Sequence, residues 1–204
     1  MATARRRPTL ELDGTRLTLA RLREFEARRP QVRLAAAARK RMLASVQAVE
    51  RTVASGEVCY GINTGFGAFA NRVIPAAKTR KLQLNLVRSH ACGTGDPLPP
   101  HIVRRMLLLK ANALAAGFSG ARPLLVEMLL GLLNADVLPV VPSQGSVGAS
   151  GDLAPLAHIG LAMIGEGEAV YADERLCGVD VPRAAGFEPL EMQAKEGLAL
   201  LNGP

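Results

Sequence analysis

Apolar residues recur along most of the chain at the three- and four-residue spacing of amphipathic helices. Together with capping and breaking residues, this spacing predicts helices over residues 19–28, 31–55, 76–91, 100–118, 123–133, 152–164 and 190–201. Alternation of apolar and polar residues predicts a short strand within 10–17 and a small hairpin over 166–176, turning at Ala172-Asp173. The pattern therefore predicts a mainly α protein with a small β element.

Composition supports this fold class, because 49% of the residues are apolar and only 3% are aromatic. Such a chain suits packed helices better than a sandwich of strands. No apolar run reaches the eighteen or so residues of a transmembrane helix, and the first residues contain no apolar signal core. We therefore expect a cytoplasmic protein that does not enter a membrane.

The net charge of +7 is concentrated at one end of the chain. Residues 1–51 contain 13 Lys and Arg against 5 Asp and Glu, so the remainder carries a net charge of −1. Arg5-Arg6-Arg7 and Arg39-Lys40-Arg41 could in principle bind nucleic acid. Because no aromatic residues are interleaved and glutamates share the same helical patterns, a solvated face is the better interpretation, and no nucleic-acid partner is predicted.

Cysteine and histidine spacing gives no support for a metal site. Cys59, Cys92 and Cys177 are odd in number and far apart, which is typical of reduced thiols in the cytosol. His90 and the other histidines also lack paired ligand spacing. We predict no metal.

The most informative stretch is residues 141–158, VPSQGSVGASGDLAPLAH. From the residues alone, this is a glycine-rich loop that opens a helix, with Asp152 as a candidate N-cap. It has neither the Gly-Lys-Ser/Thr of a phosphate-binding loop nor the Gly-x-Ser-x-Gly of a nucleophile elbow. Ala149-Ser150-Gly151 does permit backbone chemistry, since the Gly151 nitrogen can approach the Ala149 carbonyl and the Ser150 hydroxyl can be eliminated. Cyclisation with loss of two waters would leave an electrophilic methylidene.

GSVGASGDLAPLAH resembles the signature of the histidine and aromatic amino-acid ammonia-lyase family. YGINTGFG at 60–67, LQLNLVRSHACGTG at 82–95 and KEGLALLNG at 195–203 are similar to further blocks of this family, in the family's order. The resemblance implies a helical bundle of the fumarase/aspartase-like superfamily. It also implies that Ala149, Ser150 and Gly151 form the prosthetic group 4-methylidene-imidazol-5-one (MIO), supported by Asp152.

The resemblance also implies roles for other residues. Tyr60 matches the family's catalytic base, on a glycine-rich segment that includes Gly67 and closes over the substrate. Ser89-His90 occupies the position that varies with the substrate ring, and a Ser-His pair there resembles the histidine enzymes. Asn202 would lie beside the prosthetic ring. From the residues alone, Tyr60 is a packing residue, His90 a core histidine and Asn202 a helix end.

The sequence thus favours a histidine ammonia-lyase, which converts L-histidine to urocanate and ammonia. Because family members are roughly twice as long, residues 1–204 correspond to the amino-terminal, MIO-bearing portion, and the carboxy-terminal helical half is expected to be absent. Family active sites combine several subunits, so we expect a homo-oligomer or a separate carboxy-terminal partner chain. The alternatives are a non-catalytic scaffold subunit, a phenylalanine or tyrosine ammonia-lyase, and an aminomutase.

Overall fold

Eight α-helices form the body of the chain in the computed structural model, which describes residues 8–148 and 150–203. The helices are α1 (Leu19–Arg28), α2 (Ala36–Ser55), α3 (Ala76–His90), α4 (Pro100–Ala115), α5 (Pro123–Ala135), α6 (Ala154–Met163), α7 (Asp180–Ala184) and α8 (Glu196–Leu201). The strands are β1 (Thr9–Leu12), β2 (Gln31–Leu34), β3 (Thr94–Pro97), β4 (Leu138–Pro139), β5 (Pro142–Gln144), β6 (Glu168–Tyr171) and β7 (Glu174–Cys177). The predicted fold class, mainly α with minor β structure, is confirmed.

The hydrophobic core is centred on α4 and α5, which pack against each other. Both helices begin with proline in the first turn, where a missing N–H leaves no helical hydrogen bond unmade. The buried side chains of these two helices include Leu107, Leu108, Leu125, Leu129 and Leu132, each at most 1% exposed. Their apolar faces are broad, as is typical of helices buried in a bundle.

The first strands correct one prediction from the sequence. Residues 31–55 were expected to form one helix, but Gln31–Leu34 is a strand that pairs in parallel with Thr9–Leu12, and the helix begins only at Ala36. The helical spacing gave a wrong prediction for residues 31–34 because Val32 pairs with a distant segment. Its N–H and C=O bind the Asn134 side-chain amide at 2.8 and 2.9 Å, a long-range contact that local pattern does not contain.

The predicted hairpin is confirmed as β6 and β7, which pair antiparallel across Ala172 and Asp173. Both turn residues have positive φ, 49° and 66°, as a two-residue type I′ hairpin turn requires. Strand β4 adds to the free side of β6. The sequence did not predict this third strand, the pairing of β3 with β5, or the short α7.

Several helix ends differ from the prediction, and α5 ends at Ala135 rather than at 133. The last helix was expected over 190–201 but comprises only Glu196–Leu201, because Lys195 adopts a left-handed φ of 69° and interrupts any earlier turn. Helix α4 ends at Ala115 rather than at 118, and α6 begins at Ala154 rather than at 152.

Three helices place the candidate site, because α3, α6 and α8 pack against one another. A Cβ at Gly160 of α6 would lie 2.9 Å from Val87 of α3 and 3.1 Å from Leu200 of α8. The three helices therefore meet with little space between them. Within the described residues, no helix is both long enough and apolar enough to cross a membrane.

Candidate active site

The loop over residues 145–152 is closed at its base by Asp152. Asp152 Oδ1 accepts hydrogen bonds from the Ser146 N–H at 2.8 Å and the Ala154 N–H at 3.1 Å. A Cβ at Gly145 would lie only 2.0 to 2.3 Å from the Asp152 carboxyl atoms, so the carboxylate rests directly on the Gly145 backbone. The residues that open and close the loop are thereby held together.

Asp152 does not occupy the N-cap position that the sequence suggested. Leu153 does, and it provides no side-chain cap. Asp152 still accepts the N–H of Ala154, the first residue of α6, so it relieves one of the unpaired donors of the first turn. Its second bond, to Ser146, joins the helix start to the far side of the loop.

The tip of the loop is a tight turn between Gly148 and Gly151. These residues exchange two backbone hydrogen bonds, at 3.1 and 3.0 Å, across a two-residue interval. Gly151 has a φ of 81°, and no heavy atom lies within 4 Å of the place a Cβ would take. Ser150 is exposed, whereas Ala149 lies outside the described residues. The turn therefore presents the Ser150 hydroxyl at the surface, immediately before α6.

Tyr60 belongs to a turn that buried polar side chains hold in shape. Asn63, 6% exposed, accepts the Cys59 N–H through Oδ1 at 2.8 Å and donates from Nδ2 to the Glu57 carbonyl at 2.7 Å. Because both ends of the Asn63 amide are used, the backbone around Tyr60 has a fixed course.

The Tyr60 side chain itself is 58% exposed and meets Phe66 edge to face, with ring centroids 6.2 Å apart. The neighbouring Gly61 lies against α8, since a Cβ there would be 2.5 Å from Leu198 Cδ2. Gly67, with a φ of 53°, begins a short 3-10 turn on the exposed side of this segment. The turn is thus anchored on α8 while the Tyr60 ring faces outward.

Ser89 and His90 end α3, with Ser89 exposed and His90 half-buried. His90 Nδ1 lies 2.9 Å from the Leu86 carbonyl oxygen, which can only accept, so Nδ1 carries a proton. The Ser89 hydroxyl donates to the same carbonyl at 3.1 Å. This tautomer leaves His90 Nε2 to contact a ligand.

Asn202 follows α8, as its sequence predicted, and its carbonyl oxygen accepts a hydrogen bond from Lys110 Nζ at 2.5 Å. Lys110 is 7% exposed, and burial lowers the pKa of its amine to about 8. The sequence analysis missed this residue. The sequence feature that could have identified Lys110 is its position, three residues after Leu107 and four before Leu114, on the buried face of α4.

Packing brings the segments that carry these residues together, although the described residues contain no hydrogen bond that directly joins the side chains of Tyr60, Ser150, His90 and Asn202. The Tyr60 turn contacts α8, and α8 is held to α3 by the bond from Leu198 N–H to Gln83 Oε1 at 3.1 Å. Clefts of about 300 and 500 Å³ lie elsewhere, beside Val53 and Leu84 respectively. The candidate site is an open surface rather than a closed pocket.

The described residues contain no group of three or more His, Cys, Asp or Glu side chains placed to share a metal ion. Among the polar side chains of the site, the Ser89 hydroxyl, the His90 imidazole and the Asp152 carboxylate hydrogen-bond to backbone groups. What the arrangement offers chemically is a tight turn between Gly148 and Gly151 with an exposed Ser150, and a phenol, an imidazole and an amide carried on adjoining segments.

Comparison with known proteins agrees with this description. The family model described as "Aromatic amino acid lyase" matches residues 17–204. A histidine ammonia-lyase of Caldanaerobacter subterraneus subsp. tengcongensis is 50% identical over 192 residues, covering 94% of this chain but 38% of that protein. The chain thus spans less than two fifths of the length of this curated relative.

Solved structures with the same fold include enzymes with different substrates. Histidine ammonia-lyase from Trypanosoma cruzi superimposes with a TM-score of 0.86 at 38% identity, over 96% of this chain and 38% of that one. Ergothionase from Treponema denticola, described as an ergothioneine-degrading enzyme, gives a TM-score of 0.89 at 29% identity, over 95% and 39%. With the loop, the turn and the three packed helices in place, the chain belongs to the aromatic amino acid lyase family.

Proposed function

We propose that this chain is the MIO-bearing part of a histidine ammonia-lyase, acting on L-histidine to release ammonia and form urocanate. The observation that carries the proposal is the loop over residues 145–152, closed at its base by Asp152 and turned tightly between Gly148 and Gly151. The identity to histidine ammonia-lyases supports the choice of chemistry. The reaction needs an electrophile because the amine is a poor leaving group and the β-proton is weakly acidic.

The residues present fit formation of MIO. The Gly151 nitrogen would bond to the Ala149 carbonyl carbon with loss of one water, and Ser150 would lose its hydroxyl and its Cα hydrogen as a second. Gly151 N–H now donates to the Gly148 carbonyl, so this 3.0 Å hydrogen bond must be given up first. The space beside Gly151 is open, and its positive φ is one that glycine adopts without strain.

Once formed, MIO supplies an electrophilic methylidene. The chain's own groups do the rest of the work in this proposal. The N–H groups at the start of α6 follow the loop directly, and their dipoles favour negative charge near Ser150 and Gly151. Asn202 holds the ring from the end of α8, and Asp152 keeps the loop closed.

Tyr60 is the proposed base that removes the β-proton. Its segment is fixed by Asn63 and anchored on α8, while the phenol remains exposed and able to meet a substrate. A tyrosine acts as a base only as its phenolate, so this role requires nearby charge that stabilises the phenolate. Glycines such as Gly67 suit a segment that closes over the substrate.

His90 and Ser89 are the proposed contacts for the substrate side chain. Since Nδ1 of His90 donates to the Leu86 carbonyl, Nε2 is available to an imidazole ring of the substrate. The fold alone does not choose the substrate, because the family also contains enzymes that act on other amino acids. A phenylalanine or tyrosine ammonia-lyase, or an aminomutase, is therefore the alternative activity.

Tyr60, Ser89 and Ser150 are all exposed, so this chain alone does not shield them from water. Lyase chemistry of this kind requires exclusion of water. We infer that more polypeptide covers this surface, either as further subunits of a homo-oligomer, expected to be a tetramer, or as a carboxy-terminal partner chain. A non-catalytic scaffold subunit that needs such a partner is the second candidate function. The described cysteines are free thiols, which fits a cytoplasmic location.

The decisive experiment is the mass of the purified chain and of a peptide containing residues 146–158, compared with Ser150→Ala. Loss of two waters in that peptide, absent from the variant, is the expected result. An unmodified peptide would contradict autonomous ring formation. Assays with L-histidine, L-phenylalanine and L-tyrosine then separate the substrates, and modification without turnover favours the scaffold subunit.

A further inference from the structure

Gly93 lies at a junction between the two segments that flank the loop over residues 145–152. Its N–H donates to His158 Nε2, on α6, at 3.1 Å. A Cβ at Gly93 would lie 3.0 Å from the same Nε2, 3.1 Å from Pro142 Cβ and 3.3 Å from the Gln144 carbonyl oxygen. The segment before the loop and the helix after it therefore both press on one residue.

The junction extends along β3, which follows Gly93. Thr94 pairs with Gln144 in the antiparallel β3–β5 ladder, and the Leu98 N–H donates to the Val141 carbonyl at 2.7 Å. The strand before the loop is thus tied to the chain after α3 over several residues. His158 provides the corresponding tie from the other flank of the loop.

His158 can serve as the acceptor only while Nε2 carries no proton. The ring is half-buried, and burial lowers the pKa of His158, which favours the neutral form. The hydrogen bond is therefore available at neutral pH. Gly93 follows His90 by three residues, so the junction also fixes the end of α3 that carries Ser89 and His90.

We propose that His158 is a positioning residue: through its hydrogen bond to Gly93, it holds the loop over residues 145–152 at a fixed spacing from Ser89 and His90. The inference rests on the proposed function for the roles of these residues. The residues that form the ring lie in the loop before α6, whereas the pair that selects the substrate lies at the end of α3. The Gly93 junction is where the structure joins them.

The test compares His158→Gln with His158→Leu in the 204-residue chain. Gln can place an amide oxygen near the position of Nε2, whereas Leu removes the acceptor and keeps an apolar side chain. We expect His158→Leu to raise backbone hydrogen exchange at Gly93 and across 145–148 by about tenfold or more. His158→Gln should stay near the wild type in exchange and in the fraction of peptide that has lost two waters.

Two further variants control for general loss of stability. Ile159→Val removes a methyl group from the neighbouring, fully buried residue without touching the junction, so exchange at Gly93 should not change. Gly93→Ala disturbs the junction from the opposite side and should resemble His158→Leu. Gly203→Ala, at a position with no heavy atom within 4 Å of the added carbon, should behave as the wild type.

Unchanged exchange in His158→Leu, or equal exchange in His158→Leu and His158→Gln, would overturn the inference. Hydrogen exchange decides it whether or not the ring forms. Absence of the two-water loss in the wild type would count against ring formation by this chain alone, while the response of exchange to the His158 variants would still support or refute the positioning role.

Discussion

Buried Glu196 and half-buried Arg122 form an ion pair that joins the start of α8 to the start of α5. Glu196 Oε1 accepts from Arg122 Nε at 2.8 Å, and Oε2 accepts from Arg122 Nη2 at 2.8 Å. Glu196 is 1% exposed and also accepts the Gln193 N–H at 2.8 Å. Since α8 leads directly to Asn202, this pair fixes the start of the helix that ends at Asn202.

Glu196→Gln should destabilise the fold markedly, because an amide NH₂ would replace an oxygen that faces two donors. We expect a loss of about 3 kcal/mol in the free energy of unfolding, measured by urea denaturation. The matched control is Glu188→Gln in the exposed Arg183–Glu188 pair, at 3.0 Å, which should change stability by less than about 0.5 kcal/mol. Equal losses of stability in Glu196→Gln and Glu188→Gln would contradict the structural role of the Glu196–Arg122 pair.

The lowered pKa of Lys110 predicts that the stability of the fold rises with pH above about pH 8. Its pKa is about 8 in the folded chain against the usual 10.5, so between these values the unfolded chain binds the additional proton. Stability should therefore increase from pH 8 to pH 10.5, by up to about 3 kcal/mol from this group. Lys110→Met should remove that increment, as measured by urea denaturation at pH 7.5 and pH 10.

Exposed Lys40 on α2 supplies the control, since Lys40→Met removes a charge without opening the core. The quantity to compare is the difference in stability between the two pH values, because other groups titrate in the same range. If Lys110→Met retains the full wild-type difference in stability between pH 7.5 and pH 10, the lowered pKa assigned to Lys110 is wrong.

Asp152→Ala should abolish ring formation with little effect on the fold. The Ser146 and Ala154 N–H groups lose their shared acceptor; Ser146 is exposed, whereas Ala154 is buried at the start of α6, so the free energy of unfolding should fall by about 1 to 2 kcal/mol. The peptide containing residues 146–158 should keep the mass of its unmodified sequence. Asp152→Asn retains one acceptor oxygen, and partial modification is expected.

Gly145→Ala should act like Asp152→Ala although it removes no polar group. The added carbon would overlap the Asp152 carboxylate, at 2.0 Å from Oδ2, and one of them has to move. We expect the two-water loss to fall sharply, with thermal stability near that of the wild type. Full modification in Gly145→Ala would show that ring formation does not need the closed base of the loop.

Local pattern sufficed for the elements whose determinants lie within a few residues. Helix α5 follows from its broad apolar face and its first-turn proline, and the β6–β7 hairpin follows from alternation around Ala172-Asp173. Strand β2 could not be predicted in this way, because Val32 is held by Asn134, 102 residues away. Helical spacing continued through residues 31–34, and only the distant partners decide between helix and strand.

The residues of the candidate site likewise divide into those that local sequence identifies and those that depend on distant contacts. The glycines, Ser150 and Tyr60 were identified as motif residues, and the loop and turn that carry them are present. The sequence predicted Asp152 as a helix N-cap, whereas its carboxylate in fact joins the Ser146 and Ala154 N–H groups. Sequence alone does not reveal which N–H groups a carboxylate contacts. Lys110 and the contact between His158 and Gly93 depend on how helices pack, and no spacing rule along the chain contains that information.

The Asn134 amide has a consequence for association with other chains. Backbone groups of Gln31 and Ala35 bond to the β1 side, while Val32 faces the opposite edge of β2, where Asn134 occupies both its N–H and its C=O. One side chain thus takes the place that a third strand would need. The outer edge of this parallel pair is blocked at its centre, and it is a poor template for strand addition or for edge-to-edge aggregation.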